Sequence, residues 1–200
     1  MNTREQSALL LDLAVHLRDN GSWAGETHVQ KTAYLLQNLL GVPSGFEFVL
    51  YKHGPFSFDL RESLNQMEAE RFIGLQEQPY PYGPTIIEGK AASRLRASTD
   101  VAQRYVRPLE FLAGHLGRAN VADLERIATA LYVTLESGIS PGARVGRLVE
   151  LKPHIPVAEA AAAFGKLEEI RVAAFNSGLQ PLIGSITLRE QLIAAGHPNQ

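Results

Sequence analysis

The chain contains no cysteine among its 200 residues. This absence excludes disulfides, thiolate nucleophiles and cysteine-ligated metals. No apolar run approaches the roughly 20 residues that a membrane-spanning helix needs. The polar N-terminus, residues 1–6, lacks the pattern of a signal peptide. Together these absences predict a cytoplasmic protein with no membrane partner.

Catalytic signatures are also missing. The six histidines have neither HExxH nor His-x-His spacing, so we expect no metal site. No Gly-x-Ser-x-Gly elbow, Walker loop or dinucleotide fingerprint occurs. The sequence therefore predicts a protein with no catalytic residues, no metal and no cofactor, and not an enzyme.

Composition is that of an ordinary globular protein. Apolar residues make up 45% of the chain, and the net charge of −2 gives no bulk attraction to nucleic acid. The length suits one core. Because no long linker divides the chain, we predict a single compact domain over 1–200, with a winged-helix-like part at 1–90 and a helical part at 91–200.

The hydrophobic pattern of the first part follows the order of a winged helix. The predicted elements are helices at 3–19, 26–40 and 58–70, a strand at 46–51, and hairpin strands at 72–75 and 85–87. This order, helix-helix-strand-helix-hairpin, makes the hairpin the wing. The fold class is thus predicted as mainly α, with a helical second half.

The second half carries helical periodicity almost throughout. Residues 101–116 share an apolar face, and Pro108 marks either a kink or the start of a new helix. Asn120 resembles a helix cap, and Pro156 suits a first turn. A last short helix is predicted at 187–195.

A rigid corner is predicted at residues 52–57, between the strand and the third helix. Gly54 permits backbone angles that strain other residues, and Pro55 fixes φ and donates no N–H group. Ser57 can cap the helix that follows. The corner either organises the fold alone or presents side chains to a partner.

The chain resembles the YwgA-like proteins and the related SocA-like (Panacea) antitoxin domains, including the toxin-binding domain of DarG-type antitoxins. The resemblance lies in Gln30-Lys31-Thr32-Ala33-Tyr34-Leu35-Leu36-Gln37, residues 46–51, His53-Gly54-Pro55-Phe56-Ser57, Leu60 and Leu64. Leu151-Lys152-Pro153-His154 before an alanine-rich helix adds a weaker match. His53 and Phe56 stand where relatives often carry tyrosine, so a hydroxyl group is missing at the corner.

The resemblance implies a small helical domain that binds a protein partner, often a toxin, without chemistry of its own. It implies occlusion of the toxin's active cleft, which binds nucleic acid in the DarG case. On this basis the function is predicted as an antitoxin-like, non-catalytic protein-binding domain. The acidic third helix is compatible with DNA mimicry, although a solvated acidic face is the favoured interpretation of that feature alone. The oligomeric state stays open.

The predicted interface is the segment 51–59 around the corner, the third helix and the wing loop, and their outward-facing side chains are the candidates for partner binding. They are Lys52, His53, Phe56, Phe58, Asp59, Glu62, Tyr80 and Tyr82. Aromatic anchors on preorganised turns bind at low entropic cost. The alternative is that the aromatic rings pack inward and serve the fold. For Lys31, a solvated or snorkelling side chain is the favoured interpretation over a position beside the corner.

A second hypothesis is a winged-helix DNA-binding transcriptional regulator. Residues 57–72 carry four acids and two bases, and phosphates on both sides of the major groove repel such a helix. Residues 90–107 carry five bases and one acid instead. Within them Lys90, Arg94 and Arg96 are candidate nucleic-acid contacts, although a solvated face explains the same charges.

Overall fold

The computed structural model describes residues 1–80 and 83–184, and these residues form a mainly helical fold. Its elements are α1 (Thr3–Asp19), α2 (Glu26–Asn38), β1 (Val49–Tyr51), β2 (Gly54–Phe56), α3 (Phe58–Ala69), β3 (Ile73–Gln76), β4 (Thr85–Glu88), α4 (Ala92–Arg96), α5 (Val101–Arg104), α6 (Val106–Leu116), α7 (Val121–Leu135), α8 (Arg144–Leu151) and α9 (Val157–Asn176). The predicted helix at 187–195 lies outside the described residues. The mainly α prediction is confirmed.

Side-chain caps explain where three helices begin. Asn2 and Glu5 form a capping box at α1, and Ser57 Oγ accepts a hydrogen bond from Leu60 N at α3. Asn120 caps α7 in the same way, through Asp123 N. Each cap satisfies an N–H group that the helix itself leaves free, which is why these starts could be predicted from sequence.

The region around the corner differs from the prediction. The strand predicted at 46–51 is shorter, because Gln37 binds both the N–H and the C=O groups of Phe46. Strand β1 then turns through two residues and pairs antiparallel with β2, with Tyr51 opposite Gly54. Gly54 has φ = 81°, which only glycine adopts without strain. The corner is therefore one side of a hairpin, not a direct turn from strand to helix.

The predicted wing is present as the antiparallel pair β3–β4. Its second strand also bonds to the segment before α2, since Ile86 N donates to Ala24 O over 3.1 Å. This bond fixes the wing against the first half of the fold.

The second half contains one break and two helices that the pattern did not predict. The run 101–116 divides at Tyr105 into α5 and α6, so Pro108 lies in the first turn of a new helix, where a missing N–H group costs nothing. The short helices α4 and α8 were not predicted. Pro156 is the N-cap of α9.

One hydrophobic cluster includes residues from both parts of the chain. Helix α1 contributes leucines such as Leu9 and Leu13, and α7 contributes Leu124 and Leu131, all at most 1% exposed. Helix α2 lies between them and contacts α1, α6, α7 and β2. The side chains of α2 can therefore reach the corner from inside the core.

We expect Gly54→Ala to destabilise the protein by about 2–4 kcal/mol, from left-handed φ and from overpacking. A Cβ atom there would lie 2.9 Å from Thr129 Oγ1 and 3.3 Å from Glu125 O. Gly138 is the matched control, because its φ is 84° and a Cβ atom added there would meet no atom within 4 Å. Gly138→Ala should cost about 1 kcal/mol. Denaturant titration measures both, and equal losses would contradict close packing at Gly54.

Candidate protein-binding site

The candidate site is residues 51–59, which add Tyr51 and the first two residues of α3 to the corner 52–57, and we call this whole range the corner below. Buried side chains of α2 hold its backbone. Lys31 Nζ donates to Pro55 O over 2.7 Å. The Gln30 amide donates to Ser57 O over 2.8 Å and accepts from Ser57 N over 3.0 Å. Both side chains are buried, and Lys31 is only 1% exposed. The favoured prediction of a solvated or snorkelling Lys31 is therefore wrong.

A second buried lysine holds the turn of the hairpin. Lys152, directly after α8, donates from Nζ to Tyr51 O over 2.5 Å and to Lys52 O over 2.6 Å. Sequence reasoning assigned Lys152 no role, although it belongs to the weaker part of the family resemblance. Two ammonium groups thus bind main-chain carbonyl oxygens on both strands of the hairpin.

Glu125 of α7 is the buried carboxylate beside these lysines. Its Oε1 atom lies 3.9 Å from Lys152 Nζ and 3.5 Å from His154 Nε2, and its Oε2 atom lies 3.4 Å from His53 Nδ1. The side chain of Glu125 is 8% exposed, whereas both histidines are mostly exposed. Glu125 therefore supplies negative charge inside the fold, and His53 covers it at the surface.

Burial changes the acidity of both lysines. The pKa of Lys31 falls from 10.5 to about 8, mainly because burial disfavours its charged form, while Glu125 partly opposes the fall. Burial also lowers the pKa of Lys152, again against the attraction of Glu125. Desolvation thus outweighs the attraction of Glu125 at both lysines.

Three aromatic rings lie on the outer side of this fixed backbone. Ring centroids are 5.7 Å apart for Tyr51 and Phe58, 5.8 Å for Tyr51 and Phe56, and 5.1 Å for Phe56 and Phe58. Tyr51 is 56% exposed and Phe58 is 55% exposed, while Phe56 is half-buried. The Arg61 guanidinium lies 4.6 Å from the centroid of Phe56. We call Tyr51, Phe56 and Phe58 the aromatic cluster.

Tyr51 lies in the predicted interface 51–59 but is not among the side chains predicted to contact a partner. The signal that could have found it is the hairpin itself. Tyr51 stands opposite Gly54, and a glycine leaves the neighbouring ring uncovered on that side.

Exposed acids extend the surface along α3. Asp59 and Glu62 are exposed, as predicted, and so is Glu68. Within the described residues none of these three carboxylates has an ion-pair partner, whereas Arg61 pairs with Glu26 over 2.7 Å. The outer face of α3 therefore carries uncompensated negative charge beside the aromatic cluster.

The basic stretch is partly neutralised. Arg96 pairs with Asp12 over 2.6 Å and also with Glu88, so it is not free to contact phosphate. Arg104 pairs with Asp100 over 2.5 Å. Lys90 and Arg94 stay exposed, and Arg94 lies over the Phe72 ring at 5.8 Å. Of the three predicted nucleic-acid contacts, Arg96 is thus engaged by carboxylates, whereas Lys90 and Arg94 remain exposed.

Tyr80, in the predicted wing loop, has no ring contact with the corner. Tyr80 is 98% exposed in the loop between β3 and β4. In residues 1–80 and 83–184, the ring contacts of the corner link Tyr51, Phe56 and Phe58 and do not include Tyr80. Tyr82 lies outside the described residues.

The arrangement is suited to binding. Both buried ammonium groups donate to backbone carbonyl oxygens, which fixes the main chain.

The part of the chain that the structure describes contains no cluster of three or more histidine, aspartate or glutamate residues able to hold a metal ion. None of its helices has the length and apolarity to cross a bilayer.

No protein-family model matches this chain, and a search of curated proteins finds no match. The interpretation of the corner therefore depends on its geometry.

The pH dependence of stability should report the burial of Lys31. Below pH 8 both folded and unfolded chains hold its proton. Between pH 8 and 10.5 the unfolded chain binds the proton that the folded chain has lost, so raising the pH favours folding. We expect a gain of about 2 kcal/mol between pH 7.5 and 10. Above pH 10 the raised pKa of buried Tyr34 acts in the opposite direction.

Urea titration at a series of pH values tests this. Lys31→Met should flatten most of the rise in stability, and the buried Lys152 should still contribute a smaller rise in that variant. Lys52→Met is the control, because Lys52 is exposed and its removal should leave the slope unchanged. A rise of the same size in Lys31→Met would show that Lys31 is not its source.

Proposed function

We propose that the chain is a non-catalytic, antitoxin-like domain that neutralises a partner protein by filling its active cleft with the corner and α3. The observation that carries this proposal is the aromatic cluster, which is exposed on a backbone that buried side chains fix in place. The resemblance to YwgA-like and SocA-like domains supports the same conclusion independently.

The energetic argument rests on Tyr51 and Phe58. Each large aromatic ring that becomes buried at an interface contributes roughly 1–3 kcal/mol through the apolar area removed from water. Ordering a loop on binding would offset much of this gain. Because Lys31, Gln30 and Lys152 already hold the corner, little further ordering is needed.

The charge of α3 supports a basic partner surface. Asp59, Glu62 and Glu68 present carboxylates that attract a cleft built for phosphates, and such attraction speeds association. The surface would then act as a nucleic-acid mimic. The family resemblance supports a toxin as the partner, and the geometry of the corner supports the corner as the site.

The DNA-binding alternative has less support. It would use the basic residues 90–107 rather than α3, whose exposed acids repel phosphates, and within that stretch Arg96 is already engaged by two carboxylates. The chain should therefore bind duplex DNA no more tightly than a neutral protein of its size. A fluorescence-anisotropy titration at low salt checks this, and saturable binding that falls steeply with added salt would favour the regulator instead.

Co-expression with the product of the neighbouring gene tests the proposal. That product alone should arrest growth, and this chain should relieve the arrest and co-purify with it. Tyr51→Ala and Phe58→Ala should each weaken the complex by about tenfold or more, because each removes an anchor that does not stabilise the core. Isothermal titration calorimetry measures the affinities.

Phe175→Ala is the matched control. Phe175 is an exposed aromatic residue near the end of α9, so its removal should leave the affinity unchanged. If the corner variants and this control bind equally well, the corner is not the interface. If the neighbouring product neither arrests growth nor binds, the antitoxin-like proposal fails.

A further inference from the structure

A groove of about 520 Å³ lies beside the corner, between α3 and the β3–β4 hairpin. One wall is a single face of α3, formed by Arg61, Leu64, Asn65 and Glu68, which are spaced three and four residues apart. The volume is within the range of sites that hold small ligands or a few side chains of a partner.

The floor of the groove is apolar. Ile73, Leu75 and Ile86 line it from the hairpin, and Trp23 lines it from the segment before α2. Leu75 is 45% exposed, which is unusual for a leucine on a strand that is paired in a sheet. Water therefore contacts apolar surface here that a partner could cover.

The rim is acidic. Glu68 is exposed and has no ion-pair partner within the described residues, while Glu26 is neutralised by Arg61. An apolar floor below an unpaired carboxylate favours a segment that carries apolar side chains together with a cationic one.

The groove is continuous with the aromatic cluster through Arg61. The guanidinium lies 4.6 Å from the Phe56 ring centroid and donates to Glu26 Oε1 over 2.7 Å, while the same residue lines the groove. A protein that covers Phe58 and Arg61 can thus also contact the groove, because the two surfaces adjoin at Arg61. This continuity favours a protein occupant over an unrelated small molecule.

We infer that the groove receives a short amphipathic segment of the same partner protein, whose apolar side chains contact Leu75 and Leu64 and whose lysine or arginine pairs with Glu68. The inference rests on the proposed function and adds the chemistry of the partner segment. Glu68 would select a cationic segment, and Leu75 would supply the main exposed apolar contact, since Leu64, Ile73 and Ile86 are at most 7% exposed.

Two variants test the groove with the neighbouring gene's product as the probe. Leu75→Glu should weaken the complex by about tenfold, because it places a charge against the apolar floor. Glu68→Lys should reduce the association rate by about threefold or more at low salt, with a smaller effect at high salt.

The controls match these variants in chemistry and exposure. Leu135→Glu changes a leucine of 44% exposure near the end of α7, and Glu110→Lys reverses an exposed charge on α6. Both should leave the complex unchanged. Circular dichroism on all four variants identifies any that fails to fold, and Leu75→Ser then replaces Leu75→Glu.

Trp23 is the only tryptophan of the chain and lines the groove, so it reports occupancy directly. Overlapping peptides of the partner, with any tryptophan replaced by phenylalanine, are titrated against its fluorescence. A saturable change caused by an amphipathic, basic peptide and lost in Leu75→Glu supports the inference.

The outcomes separate the two proposals. If Tyr51→Ala and Phe58→Ala weaken the complex while Leu75→Glu does not, the corner is the interface and the groove inference is overturned. If no complex forms at all, the proposed function fails and the inference fails with it. If only acidic peptides change the fluorescence, the assigned charge of the segment is wrong.

Discussion

The hydrogen bond from the buried ammonium of Lys31 to Pro55 O determines where the corner lies. Pro55 has no N–H group, so its backbone can form a hydrogen bond only through its carbonyl oxygen. Lys31 supplies a donor from inside the core, and a shift of the hairpin by one residue would leave that ammonium without an acceptor. A lowering of its pKa from 10.5 to about 8 corresponds to about 3 kcal/mol disfavouring the charge. The fold thus tolerates a buried ammonium group that costs free energy, and this group specifies a single register of the hairpin.

This constraint also bears on the outward-facing side chains. Lys31, Gln30 and Lys152 donate hydrogen bonds to main-chain atoms of the corner, and Lys31 Nζ also lies 6.0 Å from the ring centroid of the half-buried Phe56. The rings of Tyr51 and Phe58 lie 5.7 Å apart and stay exposed to solvent. The corner thus combines a fixed backbone with an exposed aromatic cluster.

Much of the fold could be predicted from sequence because its signals are local. Helix caps at Asn2, Ser57 and Asn120, and the apolar spacing of α1 and α3, depend on residues within a few positions of one another. The hairpin β1–β2 could not be predicted in this way, since its two-residue turn, Lys52-His53, lacks the Asn-Gly or Asp-Gly signature that marks such turns. The burial of Lys31 could not be predicted either. Helical spacing shows which face of α2 a residue occupies, but it does not show whether a lysine on that face has a hydrogen-bond acceptor. Lys152 lies about 100 residues from the carbonyl groups it binds, and no local pattern connects the two.

The aromatic cluster joins residues from different elements, and this affects how specificity arises. Tyr51 belongs to β1 and Phe58 to α3, so the distance between their rings depends on the angle between hairpin and helix. Gln30 holds the backbone of Ser57, the residue that caps α3, and Lys31 holds the backbone two residues earlier, at Pro55. Both contacts therefore bear on that angle. Under the proposed function, binding specificity would therefore depend on side chains that no partner touches. The acids of α3 would act differently, because charges on an exposed face attract a basic surface over a distance without fixing its orientation. The acidic face would select the class of partner, and the aromatic cluster with its buried supports would select the one that fits.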